Sequence, residues 1–277
     1  MRIDPAIAGL RRDPAPQLSA QAALEHAREA WRASPGLATL LEDLRTYGLG
    51  ADFAACPVLA RALGDFAFAQ ALVDGLVTAL SPALREHPLG HVPLRHQYAQ
   101  GLAVLQLAQA AGATLSLLCY EARGHGAAVA KTVCFAGGER HELCLAGAAE
   151  ARFFETLREE PQRAELACES RRISRGDMLA FRGPHRTKIV DRPLGRMVLL
   201  RVSRDDPVPT QAREYRIADG ALLHRASGDR AESRDEMAAA VLGAMGRADA
   251  APVLADIVRS NASAHLRWQA LRQALAL

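Results

Sequence analysis

The segment 173–202 constrains the fold more than any other part of the chain, because it contains three short predicted strands joined by tight turns. The first strand leads into a turn at Gly176-Asp177, and a second strand follows it directly. His185 lies just after the second strand, and Arg196 begins the third. Short strands with frequent turns are typical of a β-sandwich or a β-barrel.

The order of these residues resembles the closing half of a double-stranded β-helix, the jelly-roll barrel shared by cupins and by iron(II)- and 2-oxoglutarate-dependent oxygenases. In those oxygenases a late histidine binds iron, and a basic residue further along binds a 2-oxoglutarate carboxylate. The resemblance implies that His185 is a metal ligand and that Arg196 and Tyr120 bind the cofactor. Fe(II) and 2-oxoglutarate are the cofactors that it implies, and it assigns no catalytic residue.

The early half of the motif is incomplete in this chain. The resemblance places the other metal-binding histidine at His125, where the family has the pattern His-x-Asp/Glu and so completes a facial triad of two imidazoles and one carboxylate. Here the carboxylate position holds Ala127. Either the site is vestigial or differently used, with no cofactor bound, or chloride occupies the vacant position, as in related halogenases.

His141 and Glu142 form a second candidate pair, because cupins combine histidines with a nearby glutamate in their metal motif. Adjacent residues of a strand point to opposite faces of a sheet. Both side chains therefore cannot face the barrel interior without a bulge. We expect a solvent-exposed polar pair on a hairpin whose turn is Gly137-Gly138.

The predicted fold class is α+β, with a double-stranded β-helix core flanked by N-terminal helices and a C-terminal helical segment. We expect helices in residues 1–110, the barrel in 111–230 and helices again in 231–277. Within these regions, residues 97–110 are predicted to form a helix, and the glutamate-rich segment 150–163 a helical insertion.

The C-terminal region 231–277 resembles about one and a half HEAT repeats, which bury their faces only by stacking on neighbours. Ser233 and Glu236 predict a capping box at the start of its first helix. Burial of Trp268 would contribute about 2–3 kcal/mol, so we expect this side chain to be buried within the chain. Any apolar stripe left over is predicted to form a homodimer contact through these helices.

Composition limits the partners and the location that we expect. The 34 basic and 31 acidic residues leave a net charge of +3, which gives little reason to expect a nucleic-acid partner. We expect no apolar run to reach the ~18 residues of a membrane span, and no signal peptide is recognisable. We therefore expect a cytoplasmic protein with no membrane partner, and its five cysteines are expected to be buried free thiols.

Two polar clusters are interpreted without a binding role. His87, His91 and His96 lie on a proline-broken loop, and their spacing does not match paired histidines on one helix face, so a polar loop is favoured over a zinc site. A run of basic residues near His185 is interpreted as a solvated rim. Its members are Arg171, Arg172, Arg175, Arg182, Arg186 and Lys188.

The predicted function is that of an oxygenase-like or cupin-like protein that acts on or binds an unknown small molecule inside the barrel, with an atypical or vestigial metal site. The alternative is a non-catalytic interaction or regulatory module, in which the barrel is a scaffold and the helices bind a partner. The fold by itself does not decide between them. The metal-site hypothesis predicts that His125, His185 and Arg196 converge in one pocket.

Overall fold

A computed structural model describes residues 5–122, 129–208 and 210–277. Its N-terminal part is helical, and the sequence supplies the helix starts. Pro35 and Pro57 lie in first-turn positions, where the missing N–H has no partner to lose, and the Asp65 carboxylate accepts a hydrogen bond from the Phe68 amide at 3.1 Å. The helices are α1 (Pro5–Gly9), α2 (Ala15–Arg32), α3 (Pro35–Gly48), α4 (Pro57–Gly64) and α5 (Phe66–Glu86).

Antiparallel strands occupy the middle of the described chain. The first six are β1 (Arg95–Ala99), β2 (Leu102–Ala110), β3 (Ala113–Glu121), β4 (Thr132–Phe135), β5 (Glu139–Ala146) and β6 (Ala148–Glu160). The next six are β7 (Arg163–Ser174), β8 (Met178–Arg182), β9 (Arg186–Pro193), β10 (Arg196–Arg204), β11 (Ala212–Arg216) and β12 (Leu222–Ala226). They form a large sheet in the order β1-β2-β3-β10-β5-β8, a facing sheet in the order β7-β6-β9, and a side sheet in the order β12-β11-β4.

The arrangement of β3 to β10 is that of a double-stranded β-helix. Strands β3, β10, β5 and β8 are neighbours in the large sheet. Strands β9, β6 and β7 lie opposite them, and β4 lies against β9. The chain therefore changes sheets at almost every turn, which is the jelly-roll connection. The predicted double-stranded β-helix is confirmed as a fold.

The middle strands of the large sheet, β3, β10 and β5, are buried on both faces. On the outer face Leu115, Leu143 and Leu200 pack against the N-terminal helices. On the inner face Leu118 and Leu199 pack against the facing sheet. Because successive side chains of a strand alternate between faces, each strand separates a helix-packing set of residues from a set that lines the barrel interior.

The helix predicted over 97–110 is wrong, because β1 and β2 form a hairpin there. Its turn is Gln100-Gly101, where both residues have a positive φ, 50° and 81°. Glycine adopts this conformation without steric cost. The apolar residues of β2 suit a helix or a strand, and pairing with β3 on its other side decides the outcome.

The helix predicted over 150–163 is also wrong, since β6 runs through it as the central strand of the facing sheet. Its glutamates pair across the strands. Glu150 binds Arg192 at 2.7 Å, and Glu155 lies 3.6 Å from Arg186. Cross-strand ion pairs accommodate charge in a strand, so the glutamate-rich composition does not prevent β structure here.

The hairpin predicted at Gly137-Gly138 does not form. Strand β4 pairs with β11 in the side sheet, whereas β5 pairs with β10 and β8 in the large sheet. The glycines instead carry the chain from one sheet to another. Gly138 has a φ of 95°, and a Cβ there would lie 2.4 Å from the Arg204 carbonyl oxygen.

The C-terminal helices are α6 (Arg230–Ala244), α7 (Ala251–Arg259) and α8 (Ala264–Ala276). The predicted cap at Ser233 is wrong. Asp229 caps α6 instead, and its carboxylate accepts hydrogen bonds from the amides of Ala231 at 2.7 Å and Glu232 at 3.0 Å. Ser233 lies one turn inside the helix.

Trp268 is 61% exposed, so the expectation that it is buried is wrong. The three helices bury a small core of their own around Ala239, Leu254 and Ala270. Small side chains let the helices pack closely, and the indole on the other side of α8 remains in solvent. The resemblance to HEAT repeats and the dimer contact stay predictions.

By length and composition alone, one helix of the described chain, α5, is able to cross a membrane. The expectation that no segment reaches this limit is therefore wrong for residues 66–86. The core helix of a soluble protein passes the same test, and here Ala69, Leu76 and Leu80 are buried in the helical core.

All five cysteines are free thiols. Cys56 and Cys144 are buried and Cys119 is half-buried, as expected, but Cys134 and Cys168 are exposed. Both exposed cysteines lie on strands. A cysteine within an apolar strand sequence is therefore not always buried.

Candidate functional site

Polar side chains cross the inner face of the large sheet in two adjacent rows. Directly paired residues of antiparallel strands point to the same face. The strand register defines the Arg201 row, which consists of Arg95, Gln106, Ser116, Arg201, Glu142 and Leu179. The Arg140 row next to it consists of Gln109, Thr114, Ser203, Arg140 and Phe181.

Glu142 is the buried centre of a charged cluster in the barrel interior. Its side chain is 0% exposed and forms ion pairs with Lys188 and Arg201. The Arg201 guanidinium donates to Glu142 Oε1 from Nη2 at 2.6 Å and from Nε at 2.8 Å. Lys188 comes from β9 of the facing sheet, and its side chain is 4% exposed. The carboxylate therefore joins the two sheets across the interior.

Arg140 adds a third cation to this cluster. Its guanidinium lies 5.0 Å from the centre of the Phe181 ring, and the Lys188 ammonium lies 5.3 Å from the same ring. No residue within 5–122, 129–208 or 210–277 forms a hydrogen bond or an ion pair with the Arg140 side chain. In this described cluster, three cations therefore face one carboxylate.

Burial and neighbouring charges together shift the pKa values of the charged cluster. Burial lowers the pKa of Lys188 from 10.5 to about 8, and the nearby Glu142 only partly offsets this. Burial also lowers the pKa of Arg140, and repulsion from Arg201 adds to the effect. Burial alone would raise the pKa of Glu142, but Lys188 and Arg201 outweigh it and hold the pKa below its ordinary value. A further anion would stabilise these cations.

A cleft of about 310 Å³ opens between β8 and the facing sheet. The rings of Phe153 and Phe181 lie parallel on its wall, with centroids 6.3 Å apart. The Arg171 guanidinium covers Phe153 at 3.9 Å, and Arg186 lies on the rim. Phe181 thus contacts the cleft on one side and the buried cations on the other.

A second cavity, of about 390 Å³, lies on the inner face of β1 to β3 beside Arg201. We call it the polar pocket. Val104 is the one aliphatic side chain in its described lining. The complete lining is Arg95, His96, Gln97, Val104, Gln106, Gln109, Thr114 and Ser116.

The structure does not bring His185 and Arg196 together. His185 is exposed in the turn before β9, and its Nδ1 lies 3.0 Å from Thr156 Oγ1. Arg196 is exposed at the start of β10, and its Nε lies 2.8 Å from Glu121. The eight residues of β9 separate them, which corresponds to roughly 25 Å along a strand.

The remaining parts of the predicted metal site lie outside the described residues. Neither His125 nor Ala127 falls within 5–122, 129–208 or 210–277, so the metal-binding role of His125 stays a prediction. Within those ranges no group of three histidine, cysteine, aspartate or glutamate side chains is placed to hold a metal ion. The described residues alone therefore do not complete a facial triad.

Tyr120 is the predicted site residue that lies at the charged cluster. It faces the barrel interior at the end of β3, and its phenol contacts the Arg201 guanidinium. Burial raises its pKa above the ordinary value, although Arg201 acts in the opposite direction. The phenol is therefore a neutral hydrogen-bonding group there.

The exposed polar pair expected at 141–142 is wrong for Glu142, which is buried. The predicted alternation itself is correct. His141 points to the outer face and stacks on Phe53 with ring centroids 3.8 Å apart, while Glu142 points inward. Lys188, assigned from sequence to a solvated rim, is buried as well. One sequence signal was available: Arg201 interrupts the otherwise apolar run at 197–202 of β10.

The strand order and the charged interior define a double-stranded β-helix with a buried, electropositive centre. No protein-family model matches the chain, and no curated protein sequence is detectably similar to it. The solved structures that resemble it do so weakly. A pumpkin seed globulin is 12% identical with a TM-score of 0.32, over 45% of this chain and 35% of the globulin.

Two other solved structures cover more of their own length. KdgF from Halomonas sp. is 16% identical with a TM-score of 0.29, over 40% of this chain and 89% of that protein. The CENP-C cupin domain of Drosophila melanogaster is 14% identical with a TM-score of 0.30, over 40% of this chain and 74% of that domain.

Proposed function

We propose that this protein binds a small anionic molecule inside its double-stranded β-helix, with Arg140 as the principal anchor and Lys188 and Arg201 beside it. The observation that carries the proposal is the Arg140 guanidinium, which faces the interior without a counterion among the described residues. An uncompensated charge in a partly dehydrated site costs free energy. A carboxylate or phosphate group would remove that cost.

Arginine suits this role because its planar guanidinium donates two parallel hydrogen bonds to a carboxylate or phosphate. Arg201 is already bound to Glu142, which fixes its orientation. Lys188 supplies a point charge from the opposite sheet. A ligand seated here would also contact Phe181, whose ring borders both the cations and the cleft.

The test is the affinity for simple anions before and after removal of Arg140. Phosphate and malonate are titrated into the wild type and into Arg140→Gln by isothermal calorimetry. Loss of a charge-assisted hydrogen bond is expected to weaken binding roughly tenfold or more. The melting temperature should stay near that of the wild type, because no described residue forms a hydrogen bond or an ion pair with the lost guanidinium. Arg158→Gln, at an exposed pair with Glu160, is the matched control and should change neither quantity. Equal affinity in Arg140→Gln and wild type would contradict the proposal.

The hypothesis that this protein is an iron- and 2-oxoglutarate-dependent oxygenase makes a different prediction in the same experiment. It requires 2-oxoglutarate to bind through Arg196 and to bind more tightly with Fe(II). Our proposal expects 2-oxoglutarate, as a dicarboxylate, to bind without Fe(II), to lose affinity in Arg140→Gln and to keep it in Arg196→Gln. The reverse pattern would favour the oxygenase.

A second candidate function is the interaction module, and one observation favours it. The C-terminal helices expose Met237, Val241 and Trp268, at 60%, 56% and 61%. Exposed apolar patches commonly mark contact sites for another protein. The partner that the sequence analysis predicts for these helices is a second copy of the chain. Such a homodimer is compatible with a ligand inside the barrel.

A further inference from the structure

The polar pocket lies directly beside the charged cluster, and most of its lining is neutral, although Arg95 also borders it. Gln97, Gln106, Gln109, Thr114 and Ser116 are neutral, and each side chain can accept or donate a hydrogen bond. Such groups recognise alcohols and amides rather than hydrocarbon. With a single aliphatic side chain in the described lining, the pocket offers little to an apolar ligand.

Two hydroxyls of the pocket are available to a ligand. Ser116 is 7% exposed, and its hydroxyl has no hydrogen bond to any described residue. The Thr114 hydroxyl, half-buried in the next row, has none within the described ranges either. Gln106 and Gln109 are held in place by each other, because Gln106 Nε2 donates to Gln109 Oε1 at 3.0 Å.

The strand register connects this pocket to the anion anchor. Ser116 is paired with Arg201, and Thr114 is paired with Ser203, which is paired in turn with Arg140. Neighbouring strands lie about 4.8 Å apart. The backbone of Ser116 is therefore one strand spacing from that of Arg201, and the backbone of Thr114 is two from that of Arg140, roughly 5 and 10 Å. That span matches a molecule with a short chain of hydroxyl-bearing carbons.

We infer that the ligand is a polyhydroxylated anion, an inference that rests on the proposed anion site. Its carboxylate or phosphate would bind Arg140, and its hydroxyl groups would bind Thr114, Ser116 and the glutamines of the polar pocket. The charged end of the ligand provides most of the attraction. The polar pocket provides selectivity for hydroxylated ligands, because an anion without hydroxyl groups leaves its polar side chains without partners.

The test compares ligands matched in charge and length. Gluconate and hexanoate are both six-carbon carboxylates and differ chiefly in hydroxyl groups. Glucose 6-phosphate and inorganic phosphate form the corresponding pair for a phosphate end. We expect gluconate to bind the wild type at least about tenfold more tightly than hexanoate, since each well-placed hydrogen bond contributes up to about tenfold. A preference in the phosphate pair alone would identify phosphate as the charged end.

Variants then assign the preference to the pocket. The isosteric double substitution Thr114→Val/Ser116→Ala should reduce the gluconate preference several-fold and leave hexanoate binding unchanged. Gln109→Ala, at an exposed position, is a second variant that does not disturb the interior. Thr39→Val, on the exposed face of α3, is the matched control and should keep the full preference.

The outcomes separate this inference from the proposed function. If hexanoate and gluconate bind equally, and phosphate binds as tightly as glucose 6-phosphate, the inference is overturned while the anion site stands. If phosphate, malonate, gluconate and glucose 6-phosphate all fail to bind, both are overturned. A hydroxyl preference that persists unchanged in both pocket variants would also overturn the assignment to this pocket.

Discussion

Replacing Glu142 with glutamine is expected to destabilise the folded chain by about 3–5 kcal/mol, the usual cost of removing one partner of a buried ion pair. Glutamine keeps the shape of the side chain but removes the negative charge. Lys188 and Arg201 are then left inside the barrel without their counterion. Urea unfolding followed by far-UV circular dichroism measures the loss as a lower transition midpoint.

Glu150→Gln is the control for this substitution. Glu150 also pairs with an arginine, Arg192, but both side chains are more than half exposed. Surface pairs contribute little, so the midpoint should hardly change. Adding Lys188→Met to Glu142→Gln should restore part of the stability, because it removes a buried cation that has lost its partner. A Glu142→Gln variant as stable as the wild type would contradict the buried cluster.

Replacing Arg204 with alanine is expected to cost about 3 kcal/mol or more, because three buried or half-buried acceptors each lose one donor. Arg204 Nη1 donates to the carbonyl oxygens of Tyr47 and Ala51, both at 2.7 Å, and Nη2 donates to Glu139 at 2.8 Å. The two carbonyl bonds join β10 to the end of α3, and the third joins it to β5. The guanidinium also lies 4.1 Å from the Tyr47 ring centre. Thermal unfolding by calorimetry measures the effect.

Arg182→Ala provides a control on the same carboxylate. Arg182 also pairs with Glu139, but its side chain is 75% exposed, compared with 13% for Arg204. Solvent replaces an exposed partner at little cost. The melting temperature of Arg182→Ala should therefore stay near that of the wild type. Equal losses in the two variants would show that Arg204 does not join the helices to the sheet.

The barrel strands were predictable where local signals agreed with long-range pairing. From Ile173 onward, the turn at Gly176-Asp177 and the short apolar runs on either side correctly predict the end of β7 and the strands β8 and β10. Residues 97–110 and 150–163 were assigned to helices because their composition suits a helix. Their true state depends on β3, β7 and β9, which lie elsewhere in the chain and which local patterns do not identify.

The candidate site was harder to predict than the fold for a related reason. Linear spacing suggested His185 and Arg196, but a spacing count does not show that β9 separates them along its full length. The charged cluster is assembled from β5, β9 and β10. Glu142, Lys188 and Arg201 are recognisable as a group only when strand order and face are known, since each alone resembles an ordinary surface charge.

The most direct test of the charged interior uses the two lysines of the chain, Lys131 and Lys188. Side-chain labelling of lysine gives two NMR signals, which Lys131→Arg assigns. We predict that the Lys188 signal titrates with a midpoint near the pKa of about 8 that burial imposes, and that malonate or phosphate shifts it in the wild type but not in Arg140→Gln. A Lys188 signal that titrates at the ordinary lysine value of 10.5 and does not respond to either anion would contradict the account.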